Sequence, residues 1–335
     1  MVSFRTITIS VFLLIASVLL YQYAYQCPNL DTLPGKVVII TGSSSGIGEE
    51  LAYQYAKYHT NLVLVARREK ELQIVGDKAK QLGAKQVLVI PADMSNGQSC
   101  EDIIYRTVKT FGRIDILLIN HAAFDDQLFI HYDNITSLDS MIHQFKVNVM
   151  GNAYMTRAAL PYLENTEGHI AVVSSGSAKI AAPFHIGYVT SKKALHGFYD
   201  TLRHELHLLK SKVTIGILVL GMIATPEVIK DAKLRPLAMP VPACAYEMIC
   251  AIQTRWEESY VPKWIGPWTA ITYIHPWISE TTMNNFYLFN VERYVKDISY
   301  SQELLKGRAL ATSLTAKKLP INSDTEESET STTEL

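Results

Sequence analysis

Charge is missing from both ends of this chain, in two different ways. Residues 6–30 contain no Asp, Glu, Lys or Arg, and the stretch after Pro320 contains five acids and no base. The tail therefore supplies more than the whole net charge of −1, and no basic excess marks the chain as one whose main partner is nucleic acid. Cysteine is scarce too. Cys27, Cys100, Cys244 and Cys250 show no metal-ligand spacing, so no metal site is expected. A disulfide framework is not expected in so long a chain, although Cys244 and Cys250 could pair if the fold brought them together.

The uncharged amino-terminal run is apolar as well. "ITISVFLLIASVLLYQYAY", residues 7–25, is long enough to cross a bilayer, with Tyr21, Tyr23 and Tyr25 at its far end. A cleaved signal peptide would need small residues around a cleavage site, and the bulky "YQYAYQC" supplies none. The reading is a membrane anchor over residues 1–30. At the other end "INSDTEESETSTTEL" has too little apolar surface to fold, and residues 301–335 read as a polar, acidic, disordered tail. Between them, residues 31–300 form the folded domain. With 48% hydrophobic and 19% charged residues overall, the chain can bury one large core.

That domain alternates short apolar runs with helical stretches. The runs are "KVVII" (36–40), "NLVLVA" (61–66), "QVLVIPAD" (86–93), "IDILLIN" (114–120), "HIAVVSS" (169–175) and "VTIGILVLG" (213–221). Continuous apolar strands separated by helices predict an α/β fold: a doubly wound, Rossmann-like parallel sheet covered on both faces. Ligands of such sheets sit beyond the carboxyl ends of the strands, where Gly42, Asp93, Asn120, Ser175 and Gly221 lie.

The first strand runs into "TGSSSGIG". Gly42 permits a tight turn, Gly46 lets a pyrophosphate approach the backbone, and Gly48 lets helix and strand pack closely. A glycine cluster alone is a weak signal. Between a strand and a helix, at the head of a parallel alternation, it predicts a dinucleotide cradle.

In "GYVTSKKALHGF" two lysines follow a tyrosine. A helix to about Leu209 is predicted from Leu195, Phe198, Leu202, Leu206 and Leu209, which recur every three or four residues. Tyr188 and Lys192 fall on that stripe and Lys193 on the opposite side. A lysine on an apolar stripe either snorkels to the helix edge or is held inward for a purpose. The stripe alone does not decide between them.

Taken together, Thr41 to Gly48, the Asn120-His121-Ala122-Ala123 run, Asn148, Ser175 and Tyr188-x-x-x-Lys192 resemble the short-chain dehydrogenase/reductases over about residues 33–220. The anchor, the "INHAA" variant, "AALPYL" and "VLGMIAT" resemble, within that family, the 11-beta-hydroxysteroid dehydrogenase type 1 group. The resemblance implies catalytic roles for Tyr188 as proton donor and acceptor, Lys192 as the cation that lowers its pKa, Ser175 as holder of the substrate oxygen, and Asn148 as positioner of a water. It implies cofactor contacts from Gly42, Ser43, Ser44, Ser45, Gly46, Ile47, Gly48, Arg67, Arg68, Asp93, Asn120, Tyr188, Lys192, Gly221 and Thr225. His121, Ala123 and Leu220 depart from the usual family residues, and none is a reacting group.

Several further expectations follow. "LVLVARREKEL" puts Arg67 and Arg68 where an NAD enzyme usually carries an acid, which predicts NADP with Arg67 bearing more of the preference. All four tryptophans, Trp256, Trp264, Trp268 and Trp277, fall in one segment that either fills a core or meets a membrane surface, and the expected substrate is lipophilic, such as a steroid. Arg5 precedes the span and no base follows it until Lys36. This bias predicts a cytosolic amino terminus and, with the resemblance, a single-pass protein of the endoplasmic reticulum whose domain is lumenal. The only Asn-x-Ser/Thr sequon, at Asn134, would then be open to glycosylation. Dimers are common in the family, so a homodimer is among the implied assemblies. The competing reading is a catalytically silent, membrane-bound nucleotide scaffold, which should lack at least one of Asn148, Ser175, Tyr188 and Lys192. All four are present.

Overall fold

Seven strands form one wholly parallel sheet: β1 (Val37–Thr41), β2 (Asn61–Ala66), β3 (Gln86–Pro91), β4 (Ile116–Ile119), β5 (His169–Ser175), β6 (Thr214–Leu220) and β7 (Glu258–Val261). Their order is β3-β2-β1-β4-β5-β6-β7, so the winding reverses between β1 and β4. This computed structural model describes residues 26–125, 138–229, 235–274, 277–278 and 281. The described residues belong to one unit, Met1–Phe289. Residues 7–25 of the expected anchor, Asn134 and the acidic tail lie outside the described residues. Among the described residues no helix is long and apolar enough to cross a membrane.

The helices are α1 (Gly46–Lys57), α2 (Glu69–Gln81), α3 (Gly97–Phe111), α4 (Asp139–Phe145), α5 (Gly151–Glu164), α6 (Ile186–Leu208), α7 (Pro226–Ile229), α8 (Val241–Thr254) and α9 (Ile265–Ile274). Local chemistry sets their ends. The Asn96 side chain accepts the Ser99 amide to start α3, and Gly112, at φ 72°, stops it in the left-handed conformation that glycine adopts without strain.

Alternation along each strand divides the core into two layers. Val38, Ile40, Leu62 and Leu64 pack with Leu51, Tyr55, Leu72, Met248 and Ile249 of α1, α2 and α8. Val37, Ile39, Val63, Leu117 and Val172 pack with Ile103, Met155, Leu195 and Tyr199 of α3, α5 and α6. Each fully buried Leu or Ile contributes about 1.5–3 kcal/mol, and both faces being covered explains why the strands read as unbroken apolar runs. At the amino ends, the buried Asp115 carboxylate ties β1 to β4 by accepting from the Val37 amide, Lys36 and Arg113.

Three expectations are corrected. The sixth strand has a neighbour, β7, whose four residues "ESYV" carry too short an apolar signal to stand out. Helix α6 runs to Leu208 with Leu209 as its C-cap, close to the expected end, but Leu209, expected on the buried stripe, is 76% exposed. Cys250 bonds Cys27, not Cys244, with Cα atoms 4.7 Å apart across 223 positions. Cys244 is a buried free thiol in α8. Closing so long a loop removes about 5 kcal/mol of unfolded-chain entropy in the chain-entropy picture.

Candidate active site

The glycine turn joins β1 to α1. Gly42 and Gly46 have φ of 68° and 62°, a region that favours glycine. A Cβ on Gly42 would come within 2.9 Å of the His121 Cα, and one on Gly48 within 2.3 Å of the Gly42 carbonyl, so both positions are sterically closed to side chains. The space over Gly46 is bounded instead by Thr225, 3.7 Å from where its Cβ would be. Ser45, the residue before α1, places no side-chain cap on the helix, which leaves the first-turn amides facing that space. Open backbone, unused amides and a helix N-terminus fit a pyrophosphate.

Neighbouring residues brace this turn. The Asn120 side chain donates to the carbonyls of Thr41 and Gly42, while its own amide donates to the Thr41 hydroxyl. Ser43 serves the sheet more than the cradle: it is fully buried, and its hydroxyl accepts the Val65 amide at 3.0 Å. Ser44 and Ser45 face outward and accept from the Arg68 guanidinium at 3.1 and 2.7 Å. Arg67 lies close enough to Asp93 to help hold that carboxyl below its usual range, behind the larger effect of the Ser95 amide. Gly221 closes the far side, its amide bonded to the Val261 carbonyl at the end of β7.

The second cluster lies at the end of β5. Helix α6 brings Tyr188 against Ser175, close enough for that hydroxyl to work against the rise of the phenol, while Ser175 accepts from the Ser177 amide and hydroxyl. One turn on, Lys192 is only 1% exposed, and its Nζ donates to the Val173 carbonyl at 2.8 Å and stands 5.6 Å from the Tyr188 ring centre. Of the two sequence alternatives, the inward lysine is therefore the one found, and Lys193 is exposed. Burial pulls the Lys192 ammonium down to about 8. Burial also raises the Tyr188 phenol, opposed by the Ser175 hydrogen bond. Desolvation dominates both groups, so the phenol stands above its usual value despite the nearby ammonium.

Asn148 sits in a π-helical turn, Lys146–Met150, between α4 and α5. Its side chain is fully buried; it accepts the Ala123 amide at 2.7 Å and donates to the Ala123 carbonyl and to Ser191. Ser191 in turn donates to the Tyr188 carbonyl. Asn148 thus braces the β4 loop against helix α6 through its side-chain amide.

Three participants were not found in the sequence. Ser191 is the residue before Lys192, and nothing in its context separates it from a surface serine. Phe124 packs edge-on to Tyr188 with ring centres 5.1 Å apart and walls the site, although it is 58% exposed. His121, noted only as a departure from the family pattern, joins Thr41 at 2.8 Å and the Val147 carbonyl at 3.0 Å, and burial lowers it to about 4. A neutral imidazole therefore links β1 to the turn that carries Asn148.

A nucleotide cradle and a Ser-Tyr-Lys cluster thus share one rim of the sheet, a layout suited to moving a hydride and a proton on a carbon–oxygen group. Comparison with known proteins agrees with this reading. The short chain dehydrogenase profile matches residues 36–233. The chain is 37% identical over 240 residues to a hydroxysteroid 11-beta-dehydrogenase 1-like protein of Xenopus tropicalis, covering 71% of this chain and 82% of that protein. It is 34% identical over 264 residues to one of Danio rerio, covering 78% and 91%. Solved structures share the fold. A short chain dehydrogenase/reductase from Burkholderia phymatum in complex with NAD gives a TM-score of 0.65 at 23% identity over 73% of this chain and 95% of that one. An alcohol dehydrogenase of Thermococcus sibiricus complexed with 5-hydroxy-NADP gives 0.59 at 24% over 67% and 95%. The chain belongs to the short-chain dehydrogenase/reductase family of oxidoreductases and is related to the hydroxysteroid dehydrogenases.

Proposed function

We propose that this protein is a membrane-anchored, NADP(H)-dependent oxidoreductase that interconverts a hydroxyl and a carbonyl on a lipophilic substrate such as a steroid. The observation that carries the reading is the packing of half-buried Tyr188 and Ser175 with buried Lys192 into one cluster at the same rim of the sheet as the glycine cradle. In reduction, Tyr188 gives its phenolic proton to the carbonyl oxygen, and in oxidation it takes the proton back. Ser175 holds that oxygen, and the charge of Lys192 offsets the tyrosinate left behind. The nicotinamide, when bound, supplies or accepts the hydride.

The preference for NADP is supported by the rim of the cradle. Arg68 already bonds Ser44 and Ser45, Arg67 and Arg68 instead of an acid take the first two positions after β2, and a guanidinium suits a 2′-phosphate. Arg67, expected to bear more of the preference, is joined in this reading by Arg68, which bonds Ser44 and Ser45. The Trp256–Trp277 segment supports a lipophilic substrate, since Trp264 and Trp277 are 63% and 64% exposed. The Cys27–Cys250 bond supports an oxidising compartment such as the endoplasmic reticulum lumen, because disulfides seldom persist in reducing cytosol.

Purified protein assayed with NADPH and with NADH against an 11-ketosteroid such as cortisone, all-trans-retinal and acetoin tests this directly. Faster turnover of a lipid carbonyl with NADPH is the expected result, and Arg68→Ala should weaken NADPH binding while leaving NADH binding nearly unchanged. Silence with every pair would favour the nucleotide-scaffold reading, and acetoin turned over as well as the lipids would remove the lipophilic assignment. Protease treatment of sealed microsomes, with and without detergent, tests the lumenal placement separately.

A further inference from the structure

Behind the catalytic cluster runs a chain of polar side chains with no role in the proton or hydride transfer described above. Ser174, the strand neighbour of Ser175, is only 2% exposed, and its hydroxyl lies 2.9 Å from Nε2 of His196. The other ring nitrogen, Nδ1, lies 3.3 Å from the Glu258 carboxylate in β7. Glu258 also accepts from Lys179 at 2.6 Å and from the Tyr260 hydroxyl. Burial raises this carboxyl, but His196, Lys179 and Tyr260 outweigh it and bring it down to about 2, so it carries a charge at neutral pH. A carboxylate at Nδ1 fixes the ring proton there and leaves Nε2 to accept from Ser174. The arrangement has the order of a serine hydrolase triad, yet Ser174 is sealed in the sheet where no substrate reaches it.

Its placement points to another purpose. Consecutive residues of β5 face α6: its Lys192 holds the Val173 carbonyl, its His196 bonds the Ser174 hydroxyl, and its Tyr188 stands against Ser175. His196 is one helical turn beyond Lys192, and Lys179 is four residues past Ser175. Glu258 therefore grips both the helix that carries Tyr188 and Lys192 and the turn that follows Ser175. We propose that Glu258, His196 and Ser174 form a positioning relay that sets the distance between Ser175 and Tyr188. The inference rests on the catalytic reading of those two residues. Without the relay the strand and helix stay packed, because Val172, Leu195 and Tyr199 hold them, but the two hydroxyls lose their mutual setting. Displacement of a reacting group by about an ångström lowers turnover without removing binding.

The test uses full-length protein with NADPH and whichever carbonyl of the panel above turns over fastest. His196→Ala and Ser174→Ala should each lower kcat by about ten- to hundredfold, with KM for both substrates and the thermal midpoint close to wild type. His196→Gln, which keeps an acceptor for Ser174, should restore part of kcat. Glu258→Gln added to His196→Ala should cost less than Glu258→Gln costs in the wild type, since the arm through His196 is already gone and only the grip on Lys179 is left to lose. If His196→Ala does not fold, Ser174→Ala and His196→Gln carry the same comparison. Values of kcat within about twofold of wild type in His196→Ala and Ser174→Ala, while Tyr188→Phe is silent, would overturn the relay and leave the catalytic site standing. Retained turnover in Tyr188→Phe would overturn the site and the relay with it.

Discussion

Two charged side chains are buried at opposite ends of this sheet, and they are treated differently. At the amino ends, Asp115 is 3% exposed and accepts from Lys36, Arg113 and the Val37 amide, so every demand of its charge is met. At the carboxyl ends, Lys192 is 1% exposed and has a single carbonyl partner. Among the described residues no carboxylate pairs with it. The pKa directions record the contrast. Burial pushes the Asp115 carboxyl up, but Arg113, the Val37 amide and Lys36 more than compensate and hold it low, whereas burial of Lys192 goes unopposed and drives it down to about 8. A satisfied buried charge holds a fold together. An unsatisfied one lowers stability, and its presence beside Tyr188 marks where stability has been given up for chemistry.

The largest effect that would sharpen this contrast is on turnover. Tyr188→Phe removes the proposed proton donor and leaves the glycine cradle untouched, so kcat should fall by roughly three orders of magnitude with cofactor binding retained. Steady-state kinetics and cofactor fluorescence titration check both halves. At the other pole, Asp115→Ala should destabilise the fold by about 2–4 kcal/mol, since a buried charge-assisted network is lost, with kcat per folded molecule nearly unchanged. Denaturant melts beside kinetics would break the contrast if the order of effects were reversed.

A smaller effect concerns pH. With Lys192 titrating near 8, carbonyl reduction should be flat at lower pH and decline above about 8 as the supporting cation is lost. Lys192→Arg, charged throughout, should move that decline upward. The smallest effect is on acid stability. His121 is lowered to about 4 from 6.5, so the folded state disfavours its proton. Its contribution is complete above pH 6.5 and is lost as pH falls towards 4. His169, lowered to about 3, acts in the same direction. Thermal midpoints from pH 7 to 4 should therefore fall less steeply in His121→Asn than in the wild type, without becoming flat.

Features coded by local spacing were legible in the sequence, and those made by distant contacts were not. Six of the seven strands and the glycine turn could be read because a buried parallel strand is an unbroken apolar run and the turn needs glycine at fixed offsets. The inward side of Lys192 followed from a helical wheel, although the wheel could not say how far inside it sits. Strand β7 escaped because "ESYV" alternates and is four residues long. The Cys27–Cys250 pairing escaped because no spacing rule spans 223 positions. Asp115 looked like an ordinary residue at a strand start, and its staple needs Lys36 from a neighbouring strand end. The bonding of Arg68 to Ser44 and Ser45 depends on how the β2–α2 corner turns, which propensities do not fix.

Lys192→Met tests the central claim most directly, because it removes the unmet charge while keeping the bulk of the side chain. The folded pKa of Lys192 lies below its unfolded value, so the penalty is absent above about pH 10.5 and complete below about 8, where it amounts to roughly 3 kcal/mol. Losing the hydrogen bond to Val173 returns about 1 kcal/mol of that. Denaturation of the purified variant at pH 7, measured alongside NADPH-dependent turnover, should give a protein as stable as wild type or more so by about 1–2 kcal/mol, with turnover lost. A variant destabilised by several kcal/mol that keeps its turnover would show that Lys192 is a structural cation like the partners of Asp115, and would contradict the account.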